Sequence, residues 1–222
     1  MAESCILYYV TDRAAFPGSE QTRRLRLLDK IAEAVSHGVD YVQLREKDLT
    51  ARELESLAGE AMRIIREVKL ASGVGRPTSA LLINSRADVA LASRAAGVHL
   101  RGDDVSVGDV RTAWAGTGDA TPGKPLIGVS CHFPQEVLQA AADWATFAVF
   151  APVFEKQGAP GTSAAGLVAL REACHAKIPV LALGGVTLQN AESCLRAGAA
   201  GIAGIRLFQE NDIGTIVREL RG

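Results

Sequence analysis

Charge of either sign is nearly cancelled in this chain. Over 222 residues, 24 Lys and Arg stand against 25 Asp and Glu, a formal net charge of −1. No global field recruits nucleic acid or an anionic membrane, so any anion site has to be local. No apolar run approaches the length of a membrane span. The N-terminus meets Asp12 and Arg13 before a signal-like apolar core can form. Cysteine is scarce and dispersed: Cys5, Cys131, Cys174 and Cys194 form no C-x-x-C pair. They read as small core hydrophobes of a reducing compartment. No G-x-G-x-x-G follows the first strand candidate, and no linker or composition break divides the chain. The expectation is one soluble cytoplasmic domain, residues 1–222, without nucleic-acid or membrane partners.

What is present repeats. Hydrophobic residues make up 48% of the chain, enough for a sizeable core. Strand candidates fall at 6–10, 39–44, 80–83, 97–100, 126–129, 147–150, 179–183 and 201–203. Helical spacing or capping falls between them, at 21–37, 50–68, 88–94, 105–115, 134–142, 166–176, 190–197 and 212–220. Thr50 and Glu53 form a capping box for the second helix. Eight strand-then-helix units specify a (β/α)8 TIM barrel, with an open doubly wound sheet as the rival. In a barrel, function sits where the strands end.

The strand ends carry the candidates. Gln43, Arg45 and Lys47 share one parity at the end of a mostly buried strand, which suits a polyanion such as a diphosphate. The alternative is a surface salt-bridge cluster with Glu46 and Asp48. Gly184 and Gly185 after strand seven, and Ile205 and Arg206 after strand eight, lie where barrels commonly bind phosphate; Arg206 otherwise reads as a solvated rim residue. Asn84 reads as a phosphate or amine ligand, or as a helix cap. Asp104 beside Asp103 reads as a Mg2+ ligand or again as a cap. Ser130 and His132 end strand five, and His132 has the chemistry for acid–base work unless it is merely packed or solvated. His99 reads as a barrel-interior hydrogen-bonder. The glycine-rich stretch 154–162 reads as a lid carrying Lys156, or as a plain excursion.

Y-V-T-D at 9–12, Q-L-R-E-K at 43–47, L-I-N at 82–84, G-V-H-L at 97–100, G-V-S-x-H at 128–132, A-P-V-F at 151–154 and G-G-V-T at 184–187 run in one order along the chain. In that order they resemble the thiamin phosphate synthases, with the thiazole tautomerases as a sister group of similar frame. The resemblance implies a transferase that couples hydroxymethylpyrimidine diphosphate with thiazole phosphate, releasing diphosphate. It assigns the aminopyrimidine to Gln43 and Ser130, and the diphosphate to Arg45, Lys47 and Asn84. Mg2+ goes to Asp104, and the thiazole phosphate to the backbone at Gly185, Ile205 and Arg206. The synthase pattern carries Asp where this chain has Ser85, Gly-Gln where it has Arg101-Gly102, and Ser where it has Arg206. Its lid Lys also stands further along than Lys156. The runner-up readings are a tautomerase with His132 as proton shuttle and a non-enzymatic thiazole-phosphate-binding regulator. A Schiff-base aldolase needs an interior Lys that strands three to eight lack. The expected partners are small phosphorylated molecules, and a homodimer is left open.

Overall fold

The computed structural model describes residues 5–71, 79–117, 123–155 and 163–222. Strands β1 (Ile6–Val10), β2 (Tyr41–Leu44), β3 (Ala80–Asn84), β4 (Gly97–Leu100), β5 (Leu126–Cys131), β6 (Phe147–Phe150), β7 (Val180–Ala182) and β8 (Gly201–Gly204) pair in parallel and close in sequence order into an eight-stranded barrel. The expected (β/α)8 architecture is the observed one. The helices are α1 (Glu20–Ser36), α2 (Ala51–Ala71), α3 (Ala87–Ser93), α4 (Val107–Ala115), α5 (Pro134–Ala142), α6 (Gly166–Ala173), α7 (Leu188–Arg196), α8 (Arg206–Gln209) and α9 (Ile213–Arg221).

Three helix starts differ from the sequence expectation because of capping. Helix α4 begins at Val107 because the Ser106 hydroxyl accepts from the Asp109 amide while the Asp109 carboxylate accepts from Ser106. Asp212 stands outside α9 and accepts from the Thr215 amide at 2.7 Å. Helix α7 starts two residues early, since Asn190 Oδ1 takes the Thr187 amide at 2.8 Å. The Thr50–Glu53 box forms as expected. Two short elements were not expected, a 3-10 turn at Arg13–Ala15 and α8. Three or four residues hold too little periodicity to register in a pattern.

Burial follows the two periods. Helix α2 buries Leu54, Leu57, Ala58, Ala61 and Ile65, one stripe at helical spacing. Each fully buried Leu or Ile contributes about 1.5–3 kcal/mol. Leu7 and Tyr9 of β1 face the helices, and Tyr9 packs on Phe208 of α8 with ring centroids 5.9 Å apart. Tyr8 faces inward with Leu82, Phe147, Val149, Leu181 and Ala203. Tyr41 stacks on Phe147 at 5.1 Å, and Tyr8 meets the Phe147 ring edge-on at 5.4 Å. Gly128 makes room for this plug. A Cβ there would stand 2.5 Å from the Phe147 ring and 2.9 Å from His99 Nδ1. Apolar and aromatic side chains therefore fill the barrel interior below His99.

Candidate active site

Above the aromatic plug the inward positions turn polar. His99, 3% exposed, is held from both sides: the Tyr8 hydroxyl lies 3.2 Å from Nδ1 and Ser130 Oγ 2.8 Å from Nε2. Burial pushes the imidazole down to about 4; nearby Asp104 raises it and nearby Arg45 lowers it further. His99 is therefore neutral near pH 7, a polar bridge rather than a charge, as the sequence suggested. Ser130 stands one residue inside β5, which runs to Cys131 rather than ending at 129. Its hydroxyl is thus carried by the barrel wall and oriented by His99.

Gln43, 3% exposed, donates from Nε2 to Asn84 Oδ1 at 2.9 Å, and Asn84 Nδ2 donates to Ser85 Oγ at 3.0 Å. Asn84 is not the helix cap that the sequence allowed; the residue at the start of α3 is Arg86. Ser85 sits at φ 60, in the left-handed region where a β-substituted residue is uncommon. Strand β2 ends at Leu44, so the shared-face argument reaches only Gln43, and Lys47 lies exposed in the following turn. Arg45 is fixed differently. Its amide donates to Thr11 Oγ1 at 3.0 Å, and the same hydroxyl donates to Glu46 Oε1 at 2.5 Å.

A salt-bridge cluster around Glu46 and Asp48 exists, and Arg13 is a buried cation within it. The Arg13 guanidinium, 4% exposed, reaches Glu46 at 3.2 Å, Asp48 at 2.7 Å and Glu20 at 2.7 Å. Sequence reading missed this. In the sequence Arg13 stands only as an early charge, and its partners lie 33 and 35 positions on. The available signal was two carboxylates interleaved with Arg45 and Lys47.

After β7, Gly184 and Gly185 have φ of 94 and 64. Ideal Cβ atoms would stand 2.7 Å from Pro152 Cα and 2.6 Å from the Glu155 carbonyl oxygen, so only glycine fits this pair of positions. The loop after β6 lies directly against them, with Phe154 N–H donating to Gly184 O at 3.0 Å. Asn190 of α7 holds the Gly185 carbonyl at 3.0 Å. Ile205 precedes α8, and Arg206 is exposed at its first position. Turns of this kind present backbone N–H groups to an anion.

Asp104 Oδ2 accepts from the Arg101 amide at 2.7 Å, and its Oδ1 lies 3.6 Å from the Arg101 guanidinium. It does not cap α4, which Ser106 serves. Among the described residues no three His, Cys, Asp or Glu side chains gather as a metal cage. Asp104 offers a single carboxylate, already held by Arg101, which suffices for Mg2+ only where phosphate oxygens and water provide the other ligands. His132 is exposed. Its Nδ1 donates to the Ala151 carbonyl at 2.7 Å. Lys156 and most of the expected lid lie outside the described residues.

This layout has a counterpart among known proteins: the family model described as "Thiamine monophosphate synthase" matches residues 7–208. The chain belongs to the thiamine monophosphate synthase family. A relative within the thiamine monophosphate synthase family, the "Putative thiamine-phosphate synthase 2" of Aquifex aeolicus, is 34% identical over 205 residues, covering 92% of this chain and 97% of that protein. The "Putative thiamine-phosphate synthase" of Geobacter sulfurreducens is 40% identical over 204 residues, 89% of this chain and 83% of that one. The solved thiamine phosphate pyrophosphorylase of Pyrococcus furiosus superposes with a TM-score of 0.77 at 27% identity, covering 99% of this chain and 95% of that chain. Within the family frame, the Q-L-R-E-K turn, Asn84, Ser130 and the Gly184–Gly185 loop all stand on one rim of the barrel.

Proposed function

We propose that this chain is a thiamin phosphate synthase, a transferase joining hydroxymethylpyrimidine diphosphate to thiazole phosphate. The observation that carries the proposal is the division of the rim. One arc, β2 to β5, offers amide, hydroxyl and guanidinium groups; the other, after β7 and β8, offers glycine-shaped backbone. An aminopyrimidine diphosphate suits the first arc and a compact phosphate monoester the second.

In this reading Gln43 and Ser130 hold the aminopyrimidine, with Ser130 aimed by neutral His99. Arg45, Lys47 and Asn84 take the diphosphate. The backbone at Gly184, Gly185, Ile205 and Arg206 seats the thiazole phosphate. The pyrimidine methylene C–O bond breaks, its electron pair leaving with the diphosphate. The ring amino group spreads the positive charge that remains. The thiazole nitrogen lone pair then forms the C–N bond. No proton has to move and no protein nucleophile is needed. The chain contributes alignment and neutralisation of the leaving group, and one such preorganised contact is worth about 10²–10³ in rate. Asp104 would hold Mg2+, which supplies charge neutralisation on the diphosphate when bound.

Among the described residues no helix is long and apolar enough to cross a membrane. The synthase reading takes small phosphorylated substrates in the cytoplasm and calls for no nucleic-acid or membrane partner; a homodimer is compatible with it but not required.

The test is turnover: purified chain, both substrates and Mg2+, with thiamin phosphate and diphosphate measured. Product formation that survives His132→Asn supports the synthase. Absence of product, together with His132-dependent proton exchange on a thiazole carboxylate, would replace it with the tautomerase reading.

A further inference from the structure

The Gln43–Lys47 turn alternates sign: Arg45, Glu46, Lys47, Asp48. Left to themselves, neighbouring opposite charges pair, and a paired guanidinium is a poor grip for an incoming anion. In this fold the two carboxylates turn the other way. Glu46, with a side chain 1% exposed, accepts from the Thr11 hydroxyl at 2.5 Å, the Arg13 amide at 3.0 Å and the Arg13 guanidinium at 3.2 Å. Asp48, with a side chain 66% exposed, receives both ends of the Arg13 fork, at 2.7 and 2.8 Å. These bonds hold the Asp48 carboxyl below its ordinary range, so it stays charged and committed. Thr11 closes the device. The hydroxyl that donates to Glu46 accepts the Arg45 amide at 3.0 Å, locking the backbone from which the Arg45 guanidinium projects. Among the described residues, that guanidinium has no carboxylate within ion-pair distance.

We propose that Arg13 is a positioning residue of the diphosphate site: by sequestering Glu46 and Asp48 it keeps the charge of Arg45 available to the anionic substrate. The inference rests on the synthase reading and adds a residue to it that touches no substrate. It also explains why a buried cation sits behind a cationic rim. Arg13 is a counter-ion to the turn's own acids, and Arg45 is thereby left to face the ligand without them.

The test uses inorganic diphosphate as the probe, titrated calorimetrically into the full-length chain, with thermal unfolding recorded in parallel. Arg13→Gln releases Asp48 together with the exposed Glu20, and diphosphate affinity falls by about tenfold. Adding Asp48→Asn to Arg13→Gln recovers affinity to within about threefold of the parent, a larger gain than the same change brings in the parent chain. The melting temperature is not recovered, because Asp48 is exposed. If Arg13→Gln fails to fold around unpaired Glu46, Arg13→Gln/Glu46→Gln takes its place, with the same comparison on Asp48→Asn. Affinity that stays low after Asp48→Asn, or that tracks the melting temperature, overturns the proposal and leaves Arg13 a purely structural ion pair. A parent chain that binds no diphosphate at all sinks the synthase reading beneath it, a separate and recognisable result.

Discussion

His99 Nε2 and Ser130 Oγ lie 2.8 Å apart, one residue buried in the barrel and the other at its rim. With Tyr8 on the far nitrogen, both ring nitrogens meet hydroxyls, and burial is what disfavours a charge on the ring. Its folded pKa of about 4 lies below the ordinary 6.5. The unfolded chain therefore binds the proton more readily. Stability is intact above pH 6.5 and is lost as pH falls toward 4. Denaturant midpoints measured from pH 7 to 4 should decline for the parent chain. The same curve for His99→Asn should be flatter over that window. Turnover of His99→Asn should fall by about tenfold as Ser130 loses its orientation.

The second prediction concerns Gly185. With φ at 64 and a prospective Cβ 2.6 Å from the Glu155 carbonyl oxygen, Gly185→Ala strains both its own backbone and the loop after β6. The expected cost is about 1–3 kcal/mol of stability. In kinetics the KM for thiazole phosphate should rise several-fold while the KM for the pyrimidine diphosphate holds. Equal rises in both would argue against a separate phosphate seat there.

Metal dependence should reflect a single protein carboxylate. If Asp104 contributes one ligand and the diphosphate most of the rest, Mg2+ and the pyrimidine substrate bind cooperatively. Raising that substrate from well below to well above its KM should lower the Mg2+ concentration for half-maximal rate. A half-saturation point independent of substrate would mean that the protein holds the ion by itself. Asp104→Asn should raise that point by about tenfold or more.

The opposite end of the barrel offers a control. Arg221 donates to the Cys5 carbonyl at 3.0 Å and the Gly38 carbonyl at 2.7 Å, and pairs with Asp40, which also accepts the Leu7 amide at 2.7 Å. Helix α9 is thereby tied to the floor. Arg221→Ala should cost about 1–2 kcal/mol, tempered by the partial exposure of the pair, and leave kcat and KM unchanged. A change in KM would mean that floor and rim are coupled.

The eight units were readable because barrel strands are short apolar runs, and every helix longer than seven residues carried a periodic stripe or a cap. The rim residues were readable because polar side chains at the ends of apolar strands stand out. What escaped was the set of long-range partners. Nothing local to Arg13 announces Glu46 and Asp48, and nothing local to Tyr8 announces His99. The first pairing follows from β1 lying beside β2, and the second from closure of the whole barrel, which sets β4 across from β1. Parity alone also overreached at Lys47, since it says which face a strand residue takes but not where the strand stops.

The Tyr41–Phe147 stack makes the barrel a vessel with one door. With the site where the synthase reading sets it, both reactants, the product and the released diphosphate pass the same rim. Traffic through it is therefore sequential. A diphosphate that lingers blocks the next arrival, so the grip that speeds bond cleavage also sets how soon the enzyme is free to begin again.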